Sequence, residues 1–221
     1  MLRLLPDDAS GQPLRVLCLG AHCDDIEIGA GGTLLRWAQD RPLEVAWVVW
    51  TSDEVRAQEA RASARWFLGQ GQIAPASLER IEIHGYRPSF LPSHWEELKQ
   101  AFFELRGRFT PDVVLSHRRG DRHQDHNLVA ELTWNTFRDH LILEYEIAKY
   151  EGDLGHPNAF VTLAPEVVEA KIDAIRRHFA SQADKTWFDR EAFAGLMRLR
   201  GIECNSPTRY AEAFHLAKAL L

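Results

Sequence analysis

Two short segments of the sequence are rich in side chains that bind metal ions. The segments "LGAHCDDIEIGAGGTL" (19–34) and "HRRGDRHQDHN" (117–127) contribute His22, Asp24, Asp25, His123, Asp125 and His126. An imidazole and a carboxylate from the first segment, with an imidazole from the second, would make a three-ligand site that stays open to water or substrate. A structural zinc site is instead closed by four ligands, usually including cysteines. The pattern therefore favours metal-dependent chemistry.

The spacing within the second segment leaves the choice of imidazole open. His123 and His126 are three residues apart, so a helix that begins near Gln124 needs to turn only one of them inward. Taken singly, His22 is compatible with an ordinary turn histidine, and Asp24 or Asp25 with the N-cap of a following helix. The joint occurrence of both segments is what favours a site.

Strand and helix patterns alternate around these segments. Near-continuous apolar runs at "RVLCLG" (15–20) and "LEVAWVVW" (43–50) are typical of parallel strands covered on both faces. Further strands are predicted at "RIEIHGY" (80–86), "PDVVLSH" (111–117) and "LILEYEIAKY" (141–150). The repeated order predicts a single α/β domain over residues 1–221, Rossmann-like, with a mostly parallel sheet and helices on both faces.

Capping and periodicity predict the helices. Thr51 and Glu54 fit a capping box at the start of a helix that runs to Gly69 or Gly71. Residues 93–109 and 165–179 carry apolar side chains at helical spacing, namely Trp95, Leu98, Phe102 and Leu105 in the first and Val168, Ile172, Ile175 and Phe179 in the second. Another helix is predicted to start near His126, and Phe103 is expected in the core with Trp95 and Phe102.

The predicted sheet gives both metal-binding segments a location. In doubly wound sheets, ligands bind beyond the carboxyl ends of the strands, where the strand order reverses. His22, Asp24 and Asp25 lie just past the carboxyl end of the first strand. If the fourth strand is its neighbour across this point, the loop after Ser116 opens onto the same crevice.

Composition narrows the classes of function. A formal net charge of −6 and a pI of about 5.9 argue against a nucleic-acid binder, which needs a basic face. Cys18, Cys23 and Cys204 form no spaced framework and no N-terminal signal run is visible, which favours a cytoplasmic protein. No stretch approaches the roughly 18 continuous apolar residues of a membrane helix. Trp-rich patches fit either the core or a homo-oligomer interface.

The motifs "AHCDDIEIGAGGTL" (21–34) and "DRHQDHN" (121–127) resemble those of the PIG-L/LmbE-like zinc N-deacetylases, an Ala-His-Pro-Asp-Asp-Glu turn and a His-x-Asp-His segment. The likeness covers about the first two thirds of the chain, and "HFASQ" (178–182) extends it more loosely. It implies one Zn²⁺ per chain, held by His22, Asp25 and His126.

The resemblance also assigns the other roles. It implies Asp24 as general base, His123 beside the metal as stabiliser of the oxyanion, and Arg56, in an Arg-x-x-Glu pattern with Glu59, in contact with substrate. The implied substrate is a small N-acetylglucosamine-type sugar or sugar conjugate, from which acetate and a free amine are released. We expect Asp125 to orient His123 and to keep it charged.

Two positions depart from the family pattern. Cys23 stands where proline is usual, and Ile26 stands where the first glutamate is usual. Without proline's fixed φ the turn is expected to be looser, and Cys23 would compete for metal if its side chain faced inward. Glu27 and the following glycines remain.

Three other functions share parts of this pattern, namely a dinucleotide-binding protein, a metal-dependent phosphoesterase and a catalytically silent binding protein. A glycine-rich turn after the first strand is also where a dinucleotide would bind, but G-x-G-x-x-G is missing and two aspartates would repel phosphate. A metal-dependent phosphoesterase usually requires more ligands, and a catalytically silent binding protein has no need of Asp24. The basic cluster of His117, Arg118, Arg119 and Arg122 fits either an anion site at the crevice mouth or a solvated loop paired with acids such as Asp121.

Overall fold

The computed structural model describes residues 11–219. Within this range the strands are Leu14–Gly20 (β1), Leu43–Thr51 (β2), Ile81–Tyr86 (β3), Val113–His117 (β4), Leu141–Tyr145 (β5), Ala159–Leu163 (β6) and Tyr210–His215 (β7). The α-helices are Asp25–Asp40 (α1), Glu54–Leu68 (α2), Trp95–Arg108 (α3), Gln124–Thr136 (α4), Pro165–His178 (α5) and Arg190–Glu203 (α6). No helix of the described chain is both long and apolar enough to cross a membrane.

The strands form one sheet in the order β3-β2-β1-β4-β5-β7-β6. The first five strands are mutually parallel, and β4 pairs with β1 on the side opposite β2. The predicted reversal of strand order beside β1 is therefore confirmed. At the far edge β7 is antiparallel to both β5 and β6. The strand predicted over residues 141–150 ends early, at Tyr145, because the backbone leaves the sheet there.

Helices cover both faces of the sheet, as predicted. Side chains of β1 alternate, so that Val16 and Cys18 pack beneath α1, α2, α5 and α6, whereas Leu17 and Leu19 pack beneath α3 and α4. Cys18 is fully buried in the first of these two cores. Strands β1 and β2 are mostly apolar on both sides because both faces are covered, whereas β3, at the edge of the sheet, is partly exposed.

Two predictions about the helices are wrong. Thr51 does not cap α2; it ends β2, and its hydroxyl donates to the Ala21 carbonyl, while Asp53 caps the helix by accepting from the Arg56 amide. Trp95 and Phe103 are not core residues. They are 43% and 50% exposed, because Phe102 takes the inward position on α3 and the next residue points about 100° away from it.

Helix α1 lies very close to the sheet because it contains glycines at the contact. A Cβ atom on Gly29 would overlap the ring of Tyr145 in β5, and one on Gly32 would lie 2.6 Å from Leu163 in β6. These glycines are inside the helix rather than in the turn before it. They serve helix packing and form no phosphate cradle, which removes the basis for a dinucleotide site.

A buried ion pair fixes the same helix to the last strand. Glu212 of β7 accepts hydrogen bonds from the amides of Gly32 and Thr33, at 2.8 and 2.6 Å. Its carboxylate also contacts Lys171 Nζ at 2.7 Å, and that ammonium donates to the Ile28 carbonyl at 2.6 Å. Because α1 begins at Asp25, these contacts help to position the first metal-binding segment.

Candidate metal centre

The two metal-binding segments meet at the carboxyl edge of the sheet. His22 and Asp24 follow β1, and Asp25 is the first residue of α1. His126 lies in the first turn of α4, whose N-cap is His123. The reversal of strand order between β1 and β4 brings these residues together across 104 positions of sequence.

Three side chains converge on one point. His22 Nδ1 lies 3.0 Å from His126 Nε2. Asp25 places Oδ2 3.4 Å from the first of these nitrogens and Oδ1 3.5 Å from the second. Ligands of a tetrahedral metal at its usual bond lengths are separated by about 3.3 to 3.6 Å. The two contacts of Asp25 fall in this range and the two nitrogens are closer together, so the three side chains of this triangle are near enough to share one ion. They are the three ligands that the resemblance implied.

His117 belongs to this centre, which the sequence analysis missed. It is the last residue of β4 and fully buried, with Nε2 3.1 Å from the Asp25 carboxylate and 2.9 Å from the Ala21 amide nitrogen. Its ring stacks on His126 at 3.9 Å. The donor atoms of Asp25, His117 and His126 lie within 4.8 Å of one another, as do those of His22, His123 and His126.

The basic cluster is consequently not one unit. His117 points into the centre, whereas Arg119 Nε donates to Glu144 at 2.6 Å and its guanidinium lies over the Trp134 ring. Arg118 donates to the Asp153 carbonyl, and the Arg122 amide donates to the Asp153 carboxylate. These internal partners favour the interpretation of a loop held by acids over that of an anion site.

Outer contacts orient His126. Its Nδ1 lies 3.0 Å from Asp121 Oδ2, which leaves Nε2 facing the centre, and Lys149 Nζ lies 2.9 Å from the same oxygen. Burial by itself would raise the pKa of Asp121, but the contacts with His126 and Lys149 outweigh it and hold that pKa below its usual value. A carboxylate behind an imidazole is a common arrangement around metal sites because it fixes the ring.

Asp125 has a different partner from the one expected. Its Oδ2 lies 3.1 Å from His22 Nε2 and accepts from the Ser89 amide, and Oδ1 accepts from the Leu91 amide. Only the backbone amide of Asp125 reaches His123, where it donates to Nδ1 at 3.2 Å. The expectation that the Asp125 carboxylate orients His123 is therefore wrong: this carboxylate orients His22.

His123 also lacks the charge we expected. Burial, together with the nearby imidazoles of His126 and His22, lowers the pKa of His123. Because Nδ1 accepts the Asp125 amide, the neutral ring carries its proton on Nε2. The side chain is thus a neutral hydrogen-bond donor beside the centre, with its ring centroid 4.8 Å from that of His22.

Asp24 is buried next to the triangle, and its partner is Arg56. Arg56 Nη2 lies 2.9 Å from Asp24 Oδ2, and Nη1 donates to Glu59 at 3.1 Å. Burial raises the pKa of Asp24, the Asp25 charge adds to this effect, and the Arg56 charge opposes it. A buried carboxylate with a raised pKa, lying beside a metal triangle, suits proton transfer.

The segment 178–182 completes this side of the site. Glu59 accepts hydrogen bonds from the amide and hydroxyl of Ser181, at 2.8 and 2.6 Å, and the Arg56 guanidinium lies 5.0 Å from the centre of the Phe179 ring. Only 14% of the Arg56 side chain is exposed. Most of this arginine therefore packs within the protein rather than at the surface.

The two departures from the family motif face away from the centre. Cys23 donates its thiol to the Thr51 carbonyl at 3.3 Å, and burial raises the pKa of this thiol to about 12. Among the described residues it is in neither of the groups that could hold an ion. Ile26 is fully buried in the core. Burial also raises the pKa of the retained Glu27 to about 8.

Proteins of known structure that share this fold catalyse more than one reaction. The N,N'-diacetylchitobiose deacetylase of Pyrococcus horikoshii is 23% identical, with a TM-score of 0.64 over 92% of this chain and 83% of that one. A conserved protein of Thermus thermophilus is 22% identical, with a TM-score of 0.68 over 94% and 96%. The 4-carboxy-2-hydroxymuconate hydratase GalB of Pseudomonas putida is 17% identical, with a TM-score of 0.70 over 94% and 98%.

These likenesses establish the fold, and the sequence establishes the family. No curated protein sequence gives a significant match to the chain. A profile of the PIG-L family, described as GlcNAc-PI de-N-acetylase, matches residues 17–137, which is more than half of the chain and contains both metal-binding segments. The chain therefore belongs to the PIG-L family of de-N-acetylases.

Proposed function

We propose that the protein is a zinc-dependent hydrolase that removes the acetyl group from an N-acetylated amino sugar and releases acetate and a free amine. Family membership supports the reaction class. The observation that carries the proposal is the position of Asp24, a buried carboxylate beside the His22, Asp25 and His126 triangle whose partner is Arg56. A site that only stored an ion would have no need of it.

The donor set fits zinc. His22, Asp25 and His126 would hold the ion through two imidazole nitrogens and one carboxylate, the mixture found in catalytic zinc sites, although iron or manganese accepts similar ligands. When bound, zinc polarises a carbonyl and lowers the pKa of a coordinated water from about 15.7 towards about 7. Asp125 and Asp121 would keep the two imidazoles aligned, through His22 Nε2 and His126 Nδ1.

Asp24 would move the proton. Its carboxylate accepts a proton from the attacking water and later gives it to the departing amine, so one group serves as base and then as acid. Arg56 holds this carboxylate from the side at 2.9 Å and limits its rotation. The adjacent aspartates thus have separate tasks, ligand for Asp25 and proton carrier for Asp24.

His123 would stabilise the charge that develops on the former carbonyl oxygen. Its neutral imidazole has the Nε2 proton available for a hydrogen bond, because Nδ1 is occupied by the Asp125 amide. A donor fixed in advance strengthens its bond as negative charge grows, which favours the transition state over the ground state.

The test is metal analysis combined with acetate release. We expect about one zinc per chain, and acetate from N-acetylglucosamine glycosides that stops on addition of chelator and returns with zinc. A parallel assay with bis(4-nitrophenyl) phosphate examines phosphoester hydrolysis. Phosphodiester cleavage without acetate release, or a chain that binds no zinc, would overturn the proposal.

We further propose that the reaction takes place in the cytoplasm, in accord with three free cysteines.

A further inference from the structure

The segment between β3 and α3 is tied to the candidate metal centre. The Asp125 carboxylate accepts hydrogen bonds from the amides of Ser89 at 2.6 Å and Leu91 at 3.1 Å. Gln124 Nε2 donates to the Ser89 carbonyl at 3.2 Å. Ser89 has a φ of +70°, a left-handed conformation that serine rarely adopts. These bonds therefore hold a strained turn in one conformation.

Phe90 lies between the two tethered amides and is presented to solvent. Its side chain is 44% exposed, whereas the adjacent Leu91 is fully buried. The Arg87 guanidinium lies 3.9 Å from the centre of the Phe90 ring, a cation–π contact that braces the ring. Isolated exposed aromatic residues are common on proteins. Phe90 differs from such residues because the backbone amides on either side of it, those of Ser89 and Leu91, both donate to the Asp125 carboxylate.

The same carboxylate fixes the distance between Phe90 and the centre. Asp125 Oδ2, which accepts the Ser89 amide, is also 3.1 Å from Nε2 of His22, and Nδ1 of that ring belongs to the metal triangle. One side chain and one imidazole therefore separate the backbone of Phe90 from the centre. To stack on the ring of Phe90, a sugar attached to the reacting amide would have to extend over His22 toward that residue.

We infer that Phe90, braced by Arg87, is the platform on which the pyranose ring of the substrate stacks. This inference rests on the proposed function and names a specificity residue for it. One face of a pyranose carries mainly C–H bonds and packs well on an aromatic ring. The sugar would use the face of Phe90 that the Arg87 guanidinium does not cover. Phe90 is thus a substrate-binding residue and takes no part in proton transfer.

The test compares two matched phenylalanines. Phe103 is 50% exposed on α3, lies under the Lys99 ammonium at 4.4 Å, and is roughly 12 Å along the helix from its start, at about 1.5 Å per residue. The substrate probe is 4-nitrophenyl N-acetyl-β-glucosaminide. For Phe90→Ala we expect KM to rise about tenfold with kcat within about twofold of the wild type, the pattern of lost ground-state binding.

Controls separate binding from folding. Phe103→Ala is expected to leave KM unchanged, Phe90→Tyr to retain most of the affinity, and zinc content and thermal midpoint to match the wild type in all three variants. A Phe90→Ala enzyme with wild-type KM would overturn the inference. A fall in kcat with unchanged KM would overturn it as well, because that result assigns the ring to a step after binding.

A second readout is independent of turnover. Binding of N-acetylglucosamine to the metal-free protein, followed by saturation-transfer NMR, should weaken about tenfold in Phe90→Ala and remain unchanged in Phe103→Ala. If the wild type binds the sugar, Phe90→Ala binds it about tenfold more weakly and the wild type releases no acetate, the proposed function fails while the platform stands. If wild type and Phe90→Ala bind the sugar equally, the platform fails whatever the activity.

Discussion

Arg56 Nη2 lies 2.9 Å from Asp24 Oδ2, so the arginine that resembles a substrate contact is engaged with the proposed general base. Further contacts of Arg56, with Glu59, the Ser181 hydroxyl and the ring of Phe179, fix its guanidinium from other directions. We therefore propose that Arg56 positions Asp24.

Replacing Arg56 should therefore lower the rate more than the affinity. We expect Arg56→Met to reduce kcat about 10- to 100-fold, because a carboxylate free to rotate is misplaced for proton transfer. Zinc content should be unchanged, since Arg56 touches no residue of the triangle. Arg65→Met, an exposed arginine on the same helix, is the control. A large rise in KM with normal kcat would instead support direct substrate contact.

Asp24→Asn and His126→Ala should separate catalysis from metal binding. The asparagine variant is expected to keep its zinc and to lose about 10²- to 10⁴-fold in kcat, the usual contribution of a general base.

His126→Ala should lose most of its zinc in equilibrium dialysis. Normal zinc binding by this variant would point to His117 or His123 as the third ligand, since both lie within reach.

Gly29→Ala should destabilise the protein. A methyl group there overlaps the Tyr145 ring, and forcing extra volume into a packed core typically costs about 1 to 3 kcal/mol. Gly195→Ala provides the control because Gly195 is an exposed position of α6 with nothing within 4 Å of its Cβ position, and alanine should stabilise the helix there by up to about 1 kcal/mol. Urea unfolding measures both. Equal stability of Gly29→Ala and wild type would show that α1 is not held against β5.

The Lys171 and Glu212 ion pair should show strong coupling. Both side chains are almost wholly buried, so Lys171→Met leaves a buried carboxylate without its cation and is expected to cost about 3 to 5 kcal/mol. In a double-mutant cycle, Glu212→Gln should lower the free energy of unfolding less in the Lys171→Met background than in the wild type. The expected coupling energy between the two side chains is about 1 to 3 kcal/mol. Additive effects of the two substitutions would mean that the pair contributes no specific interaction.

Cys23 should be unreactive in the folded protein. With its pKa raised to about 12 and its thiol bonded to the Thr51 carbonyl, almost no thiolate exists at pH 8. Iodoacetamide at that pH should label at most Cys204 in the native protein and all three cysteines after unfolding. Mass spectrometry locates the label. Rapid native labelling of Cys23 would mean that the first turn opens.

Much of the sheet could be predicted from the sequence because β1, β2 and β4 are almost wholly buried. Their apolar runs and the intervening helices predict parallel strands, and they predict the edge at which His22 and His126 meet on the condition that β4 lies beside β1, which the structure fulfils. The antiparallel strands β6 and β7 were missed. Each is short and mixes small, polar and aromatic residues, and its place depends on partners far along the chain, such as Glu212 with Lys171.

The candidate site was predictable in residue type and less so in contacts. His22, Asp25 and His126 follow from the motifs. His117 ends the predicted strand 111–117, as observed, but the run of arginines after it suggests a basic cluster rather than a side chain of the centre. The sequence suggests that Asp125 orients His123 because these two residues are close in the chain. The Asp125 carboxylate instead contacts His22, which is far from it in sequence. Contacts between distant segments decide these partners, and a linear pattern does not contain them.

The position of β7 also affects the order in which parts of the protein can fold during translation. Within the sheet β6 pairs only with β7, and Glu212 supplies the acceptor for two amides inside α1. Because β7 follows every other element of the described chain, a nascent polypeptide that already contains both metal-binding segments still lacks this contact to α1. Final consolidation of the helix that begins at Asp25 therefore waits until residues 210–215 have emerged from the ribosome, so the site is finished after translation of its own residues.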